Sequence, residues 1–427
     1  MRRTTAITVA CMTAAALTVT ACGRGSDNGG PAAGQTGAAV STGKASGTIT
    51  VWAMGAEGDN LSKLTKDFET ANPGVKVQVT AIPWDAAHDK FTTAITANKT
   101  PDVAMVGTTW MGEFAGMNAL DPTPASIDKS AFFGGAQKTT EVNGTSFGIP
   151  WYVETRVVYY RTDLAKKAGY DTVPTDWKGL HDMAKAMQTK AGAKWGIGLQ
   201  AGGEGSWQTV MPFAWSEGAD LTKNGGKAYN FDSPQLLKAT QYYQSFFTDG
   251  ISDKSAPATP TTEPDFASGR VPMFISGPWE MSAVEKVGGA GFKDKYNVMQ
   301  IPAKKTSSSF VGGSDFVVFK KSQNRDTAWK FVQWLTDPKV QVKWYQASTD
   351  LPSVASAWND PSISADPKLA EFGKQLKTAQ APPSFSTWEQ VVAGFDTEME
   401  KITKQGADPA AGMKAVQQQA QSIGTGQ

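Results

Sequence analysis

Glu154, Thr155 and Arg156 interrupt an otherwise apolar, aromatic and β-branched run from Ser146 to Asp163. Burying a carboxylate or a guanidinium is costly unless it meets an opposite charge or a polar ligand. Two readings follow. In one, Glu154 and Arg156 form a structural ion pair inside a crossover strand. In the other, the strand crosses between two lobes and turns its polar groups into a cleft. The chain also holds 14 Trp against 2 His. Indoles are flat apolar plates that suit the C–H face of a pyranose, and carboxylates and guanidinium groups suit its hydroxyl rim. Trp52, Trp84, Trp110, Trp207, Trp279 and Trp388 are candidate plates. Asp85, Glu154, Arg156 and Asp315 are candidate rim partners, whereas Trp177, Trp329 and Trp334 read as helix packing.

Other chemistries find less support. A glycosidase needs two carboxylates about 5–10 Å apart; Glu154 and Glu280 could be cast in those roles, but no motif supports the pair. A secreted glycosidase or lyase with a Trp-lined cleft is therefore the alternative. Tyr159-Tyr160 and Tyr242-Tyr243 are adjacent phenol pairs that would suit ferric ion, but neighbours on a strand point to opposite faces. With His88 and His181 alone and no HExxH, zinc has no candidate site. No cofactor or metal is expected.

Composition narrows the partners. The formal net charge is +1 over 427 residues, which gives no footprint for nucleic acid. Arg2-Arg3, an apolar run from Ala6 to Val19, and Thr20-Ala21-Cys22 read as a signal peptide over residues 1–21. Val19-Thr20-Ala21-Cys22 looks like a bacterial lipobox, so Cys22 is the expected lipidated N-terminus of the mature chain. Cys11 departs with the leader and no disulfide remains. Residues 22–46 are Gly/Ala/Ser/Thr-rich and read as a flexible tether.

The elements that must position these residues are α/β. Thr48 to Trp52, Val75 to Val79 and Asp102 to Val106 read as strands; Leu61, Leu64 and Phe68, then Ala87, Phe91 and Ile95, recur at helical spacing. A loop is expected from Met54 to Asn60, with Asp85 capping the second helix. Ligands of such sheets bind beyond the carboxyl ends of strands, where Glu57, Asp59, Trp84, Asp85, Thr109 and Trp110 stand. Gly202 to Trp207 is Gly-rich without a phosphate-binding frame. Further strands are expected at Val271–Ile275, Tyr296–Ile301 and Phe310–Phe319, and a buried helix through Ala328, Phe331, Val332 and Leu335.

Four segments in this order resemble one family: Gly148-Ile149-Pro150-Trp151 through Tyr160-Arg161-Thr162-Asp163-Leu164; Phe266-Ala267-Ser268-Gly269-Arg270-Val271-Pro272-Met273 leading to Gly277-Pro278-Trp279; Val311-Gly312-Gly313-Ser314 through Lys320-Lys321-Ser322; and Ala328-Trp329-Lys330-Phe331-Val332 with Leu335-Thr336-Asp337-Pro338. The chain resembles the sugar-binding lipoproteins of ABC importers, the maltose-binding-like solute-binding proteins, over roughly residues 48–423. The resemblance implies two α/β lobes that close on a sugar in a Venus-flytrap manner. It places residues 47–153 with 302–319 in the N-terminal lobe and 154–301 with 320–427 in the C-terminal lobe. Crossings are expected near Tyr152–Arg156, Met299–Pro302 and Phe316–Lys320. The stacking Trp of the family falls on Trp279, the hinge acid on Glu154, and a late aromatic on Trp388. Loop positions fall near Glu57, Trp84, Asp85, Thr109 and Trp110; Thr109 and Trp110 replace charged groups of the maltose-binding pattern. Tyr152, Arg156, Trp207, Gly313 and Asp315 complete the candidate site. The implied function is capture of a di- or oligosaccharide by a monomer held at the membrane, and delivery to permease subunits served by a cytoplasmic ATPase.

Overall fold

The computed structural model describes residues 34, 36–255 and 262–426; the leader and Cys22 lie outside them. Two sheets organise the chain. The larger has seven strands. Strand β1 (Gly47–Met54) pairs in parallel with β2 (Val75–Ile82) and β3 (Val103–Gly107). The chain then reaches β4 (Ile149–Thr155), and after a one-residue break at Arg156 continues as β5 (Val157–Arg161) in the second sheet. There β5 lies between β6 (Met273–Ser276) and β7 (Tyr296–Met299), antiparallel to both. The ten-residue β8 (Ser309–Val318) returns to the first sheet between β4 and β3, and β9 (Leu351–Pro352) pairs on the outer edge of β4.

The helices follow from apolar spacing. In α1 (Gly55–Ala71), Leu61, Leu64 and Phe68 are buried on one face. The helix begins at Gly55, so the expected loop from Met54 to Asn60 is its first turns, and Glu57 sits there. Similarly α2 (Trp84–Thr96) starts one residue before the expected cap: Asp85 is exposed in the first turn and makes no cap hydrogen bond. There its charge favours the helix dipole. In the second lobe Asp176 caps the helix Trp177–Thr189 and Ser233 caps α4 (Pro234–Thr248), each accepting from a backbone N–H.

The crossings differ from expectation. Arg156 is one, as the sequence suggests. The next lies inside β8, not at Met299–Pro302 or Phe316–Lys320. Ile301 and Phe310 pack in the second-lobe core, while Phe316 to Phe319 pack with the first sheet. Thr155 Oγ1 donates to the Phe310 carbonyl at 2.7 Å, and Ser309 Oγ to the Arg156 carbonyl at 2.8 Å. Two buried hydroxyls thus tie the crossing strands. The resemblance places helices α5 (Arg325–Leu335) and α6 (Pro338–Ser348) in the C-terminal lobe, yet Ala328, Trp329, Phe331, Leu335 and Trp344 pack in the first-sheet core. An amphipathic stripe says that a helix is covered, not by which sheet.

The expected tether is also partly docked. Gly37 N–H donates to the Thr123 carbonyl at 3.0 Å, Ser41 N–H to Asp326 Oδ2 at 3.1 Å, and Ala45 is buried against the first lobe. A Cβ at Gly37 would stand 1.9 Å from the Pro122 carbonyl oxygen, so glycine is required at that contact.

Candidate functional site

Among the described residues only Trp84, Trp279 and Val287 are exposed large hydrophobics. The two indoles stand at strand carboxyl ends on opposite sheets: Trp84 follows β2 and Trp279 follows β6. Each lies on a bare glycine. A Cβ on Gly55 would meet Trp84 Cδ1 at 2.6 Å, and one on Gly277 would meet Trp279 Cζ3 at 1.9 Å. Any larger residue there would displace the plate. Trp110 packs edge-on to Trp84 with ring centroids 5.8 Å apart and also touches Phe91 and Phe114, so it supports Trp84 from the first-lobe core.

The polar groups meet these plates. Glu57 accepts from Tyr152 Oη at 3.2 Å and from Trp84 Nε1 at 3.4 Å, which fixes its carboxylate between α1 and β4. At the break after β4, Glu154 Oε1 lies 3.4 Å from Arg156 Nη2. Gln208, on the first turn of α3 (Trp207–Ser216), accepts from the same Nη2 at 2.5 Å. The Arg156 guanidinium carbon lies 4.5 Å from the centre of the Trp279 ring. The ion pair and the cleft therefore coexist: Arg156 is paired, and it backs the plate.

Two adjoining cavities share Trp279. One of about 190 Å³ is lined by Glu57, Tyr152, Glu154, Pro278, Trp279 and Asp350. The other, about 300 Å³, is lined by Arg156, Gln208, Thr209, Ser276, Trp279 and Glu280 among others. Burial, then repulsion from Glu57, pushes the Asp350 carboxyl up to about 7. Burial, then repulsion from Glu263, pushes Glu280 up to about 7. Thr109 and Glu389 of α7 (Trp388–Gln405) line the wall of a third cavity together, and burial chiefly raises the Glu389 carboxyl. This third cavity, about 460 Å³, has residues of both lobes in its lining, and Gln208 again lines the wall.

Several expected residues lie elsewhere. Trp388 is fully buried, 5.2 Å from Trp207 between ring centroids, in the second-lobe core with Tyr229, Phe231 and Phe395. It is a core residue. Trp207 is buried against Trp388 and Phe310, with only an edge on the third cavity. Trp52 packs on Phe91 with Lys90 Nζ 4.7 Å from its ring centre. Gly313, at φ +115°, allows the Tyr152 carbonyl to approach, and the register of β8 on β4 shifts one residue later. It shapes the strand rather than contacting a cleft.

Asp315 is fully buried beneath the site and 3.0 Å from Thr139 Oγ1, which itself donates to the Ala136 carbonyl at 2.7 Å. Thr139 Oγ1 donates towards both Asp315 carboxyl oxygens, at 3.0 and 3.1 Å, which offsets only part of the effect of burial. Burial pushes the Asp315 carboxyl up to about 8. A carboxyl raised on folding stabilises below its unfolded value near 4, and that contribution is lost as pH rises through the folded value. Asp315→Asn keeps a donor and cannot ionise. Its stability relative to wild type should therefore rise between about pH 4 and 8, by at most about 1.4 kcal/mol per pH unit. Chemical denaturation across that range checks it; parallel curves would mean that Asp315 does not titrate.

The phenol pairs are used structurally. Tyr159 donates to the Gly277 carbonyl at 2.6 Å, Tyr242 to Trp177 at 2.6 Å and Tyr243 to Gln200 at 2.8 Å, and burial raises all three phenols. The Gly-rich loop is structural too: Asp396 accepts from Gly205 N–H, Ser206 Oγ and Trp207 N–H at 2.7, 2.7 and 2.9 Å, fixing the start of α3. Gln208, Glu280, Asp350 and Glu389 were absent from the expected site. Glu280 stands next to Trp279, the one local signal; the others carry none.

Residues 52–342 match the bacterial extracellular solute-binding protein family. The chain belongs to this family. The solute-binding protein is 28% identical over 356 residues to the diacetylchitobiose binding protein DasA of Streptomyces coelicolor, covering 79% of each chain. Its fold matches the sugar-binding protein MalE of Xanthomonas citri with a TM-score of 0.84 at 30% identity, over 88% of this chain and 97% of that one. The GacH receptor of Streptomyces glaucescens, solved unliganded and with acarbose, gives a TM-score of 0.74 at 25% identity over 89% and 99%. The solute-binding protein thus has the two-lobed maltose-binding-like fold that its motif order implies, with 30 % identity to a sugar binder spread over almost the whole of both chains.

Proposed function

We propose that this protein captures a sugar of two or more units outside the cytoplasm, by closing its lobes, and delivers it to the permease of an ABC importer. The observation that carries this reading is the pair of exposed indoles, Trp84 and Trp279, one from each lobe, near Glu57 of α1 and the Glu154–Arg156 pair at the crossing. A pyranose offers apolar faces to such plates and a hydroxyl rim to such charges. The similar proteins point the same way: DasA is a diacetylchitobiose binding protein, MalE a sugar-binding protein, and GacH was solved with acarbose. A ligand contacting both lobes binds the closed form preferentially and so drives closure.

A thermal-shift panel of mono- and oligosaccharides tests the reading, since a ligand at 100 times its Kd stabilises by about 2.7 kcal/mol. The sugar reading predicts stabilisation without product; hydrolysis of any oligosaccharide would favour the glycosidase alternative, and no response to any sugar would sink binding. Scattering should show a smaller radius of gyration with ligand.

Glu154→Gln preserves shape and removes the charge. Binding should weaken by about 1.5–3 kcal/mol, the value of a charge-assisted hydrogen bond. Wild-type affinity in a destabilised variant would instead make the Arg156 pair purely structural; Tm and Kd from one preparation separate the two.

The mature chain acts as a monomer, anchored by acyl chains on Cys22 that each contribute about 0.8 kcal/mol per buried CH2. Cys22→Ser should move the folded protein from the membrane fraction to the soluble one. A variant that still pellets with membranes removes the lipobox reading.

A further inference from the structure

The formal net charge of +1 hides an uneven distribution. Strands β1, β2 and β3 are parallel, so the chain enters all three at one end of the first sheet. It leaves them at the other end, where Glu57, Trp84 and Trp110 stand. At the entry end are Lys44 before β1, Lys76 at the start of β2 and Lys99 before β3. Lys320 and Lys321 join them, because β8 is antiparallel to β3 and Val318 pairs with Val103. All five lysines are exposed. We propose that this end of the first lobe docks on an anionic lipid surface, so that the anchored protein rests with its cleft turned away from the bilayer. Strands of five to eight residues, rising about 3.3 Å per residue, put about 17–26 Å between the two ends.

The positive charge at this end is not neutralised locally. Arg325 is paired, with Asp121 at 2.7 Å and Asp326 at 3.3 Å. Asp102 accepts from the Thr50 N–H at 2.8 Å and from Ser322 Oγ at 2.6 Å, and Glu69 from the Val77 N–H at 2.7 Å. Among the described residues none of the five lysines forms an ion pair with a carboxylate. Each lysine held near an anionic lipid surface strengthens partitioning about fivefold, and it acts only within a Debye length of about 10 Å at 0.1 M salt. A cavity of about 260 Å³ opens among them, lined by Asn98, Thr100, Asn118, Lys320 and Lys321 and without a carboxylate in its wall. Lys320 Nζ donates to Asn118 Oδ1. Two ammonium groups beside amides and a hydroxyl form a set of donors that suits a phosphate headgroup.

The docked segment before β1 leads the chain to the same place. Gly37 N–H donates to the Thr123 carbonyl at 3.0 Å, and Arg325 Nη2 to the Ala38 carbonyl at 2.8 Å. Lys330 Nζ donates to the Gly43 carbonyl at 2.5 Å, and Ser46 N–H to Thr327 Oγ1 at 3.2 Å. These bonds fasten residues 37–46 along the first half of α5, which follows directly on Lys320 and Lys321. Cys22 lies at most about 50 Å of fully extended chain before Gly37. The lipobox reading therefore brings the bilayer to the lysine end of the lobe rather than to the cleft end. Neutral overall charge keeps the rest of the surface indifferent to lipid, so the lysine end alone sets the posture.

The test is cosedimentation of the mature chain carrying Cys22→Ser, so that its outcome does not depend on acylation. With 50 mM salt, partitioning should be at least tenfold stronger on vesicles containing phosphatidylglycerol than on phosphatidylcholine alone, and should fall away at 500 mM. Adding Lys320→Glu with Lys321→Glu should weaken it at least tenfold while leaving Tm unchanged. Lys166→Glu with Lys185→Glu, an equal change of net charge on the second lobe, should retain it. Equal loss in both pairs, or no preference for the anionic vesicles, overturns the docking face. Binding of inorganic phosphate without vesicle binding would give the cavity to a free anion and overturn the lipid partner. Should the Lys320 and Lys321 pair not fold, Lys76→Glu with Lys99→Glu decides. A fluorophore placed through Asn98→Cys should be quenched by spin-labelled headgroups, and one placed through Asp85→Cys should not; equal or reversed quenching overturns the orientation.

Discussion

Trp279→Ala is expected to weaken sugar binding by about 2–4 kcal/mol, the loss typical of an aromatic anchor in a binding site, with a modest change in Tm. The indole is 41% exposed, so little of its burial supports the fold. Its removal also strips the cover from Arg156, whose guanidinium carbon lies 4.5 Å from the ring centre. The two effects act in one direction, because the alanine variant loses the plate and leaves the guanidinium more hydrated in the open state. Titration against the best sugar of the panel, beside a melting curve, checks this. Intact affinity with a large fall in Tm would make Trp279 a support of the second lobe and move the site elsewhere.

Trp388→Ala is expected to do the reverse. Its ring is wholly buried at the start of α7, against Trp207, Tyr229 and Phe231. Truncating a buried Trp costs about 3–5 kcal/mol in lost transfer and cavity terms, a large part of the stability of a domain. The cavity would open beside Trp207 and so loosen the turn that carries Gln208. Denaturant unfolding should show a lower midpoint. The folded fraction should bind sugar with affinity much closer to wild type than the Trp279 variant does. If Trp388→Ala abolished binding at unchanged stability, the aromatic would belong to the cleft after all.

The opposite expectations for two tryptophans of one chain mark where sequence and tertiary structure each decide. Alternating Val75, Val77 and Val79, the fully apolar run around β3, and the helical recurrence of Leu61, Leu64 and Phe68 dictate α/β elements, because side-chain periodicity is a property of local backbone geometry. The order of four short motifs was enough for the two-lobed family fold. The polar triplet at Glu154–Arg156 was legible as a crossing, because charges in an apolar strand demand an explanation. The place of Trp279 just beyond a strand end was legible, because an apolar β-branched run and then Gly277-Pro278 precede it.

Burial beyond the element itself was not legible. Trp388 and Trp279 have the same side chain, and only the packing of α7 on the second-lobe core hides one while the surface beyond β6 exposes the other. Asp315 reads as a rim acid, but the register shift of β8 on β4 turns it inward to Thr139, 176 residues away. Helices α5 and α6 carry apolar stripes that fit either sheet, and contact with the first sheet alone assigns them. Gln208, Asp350 and Glu389 are ordinary polar residues in sequence. They join the candidate site because chain closure over separations such as the 52 residues between Arg156 and Gln208 brings them to one place, and such long-range contacts leave no periodic trace along the chain.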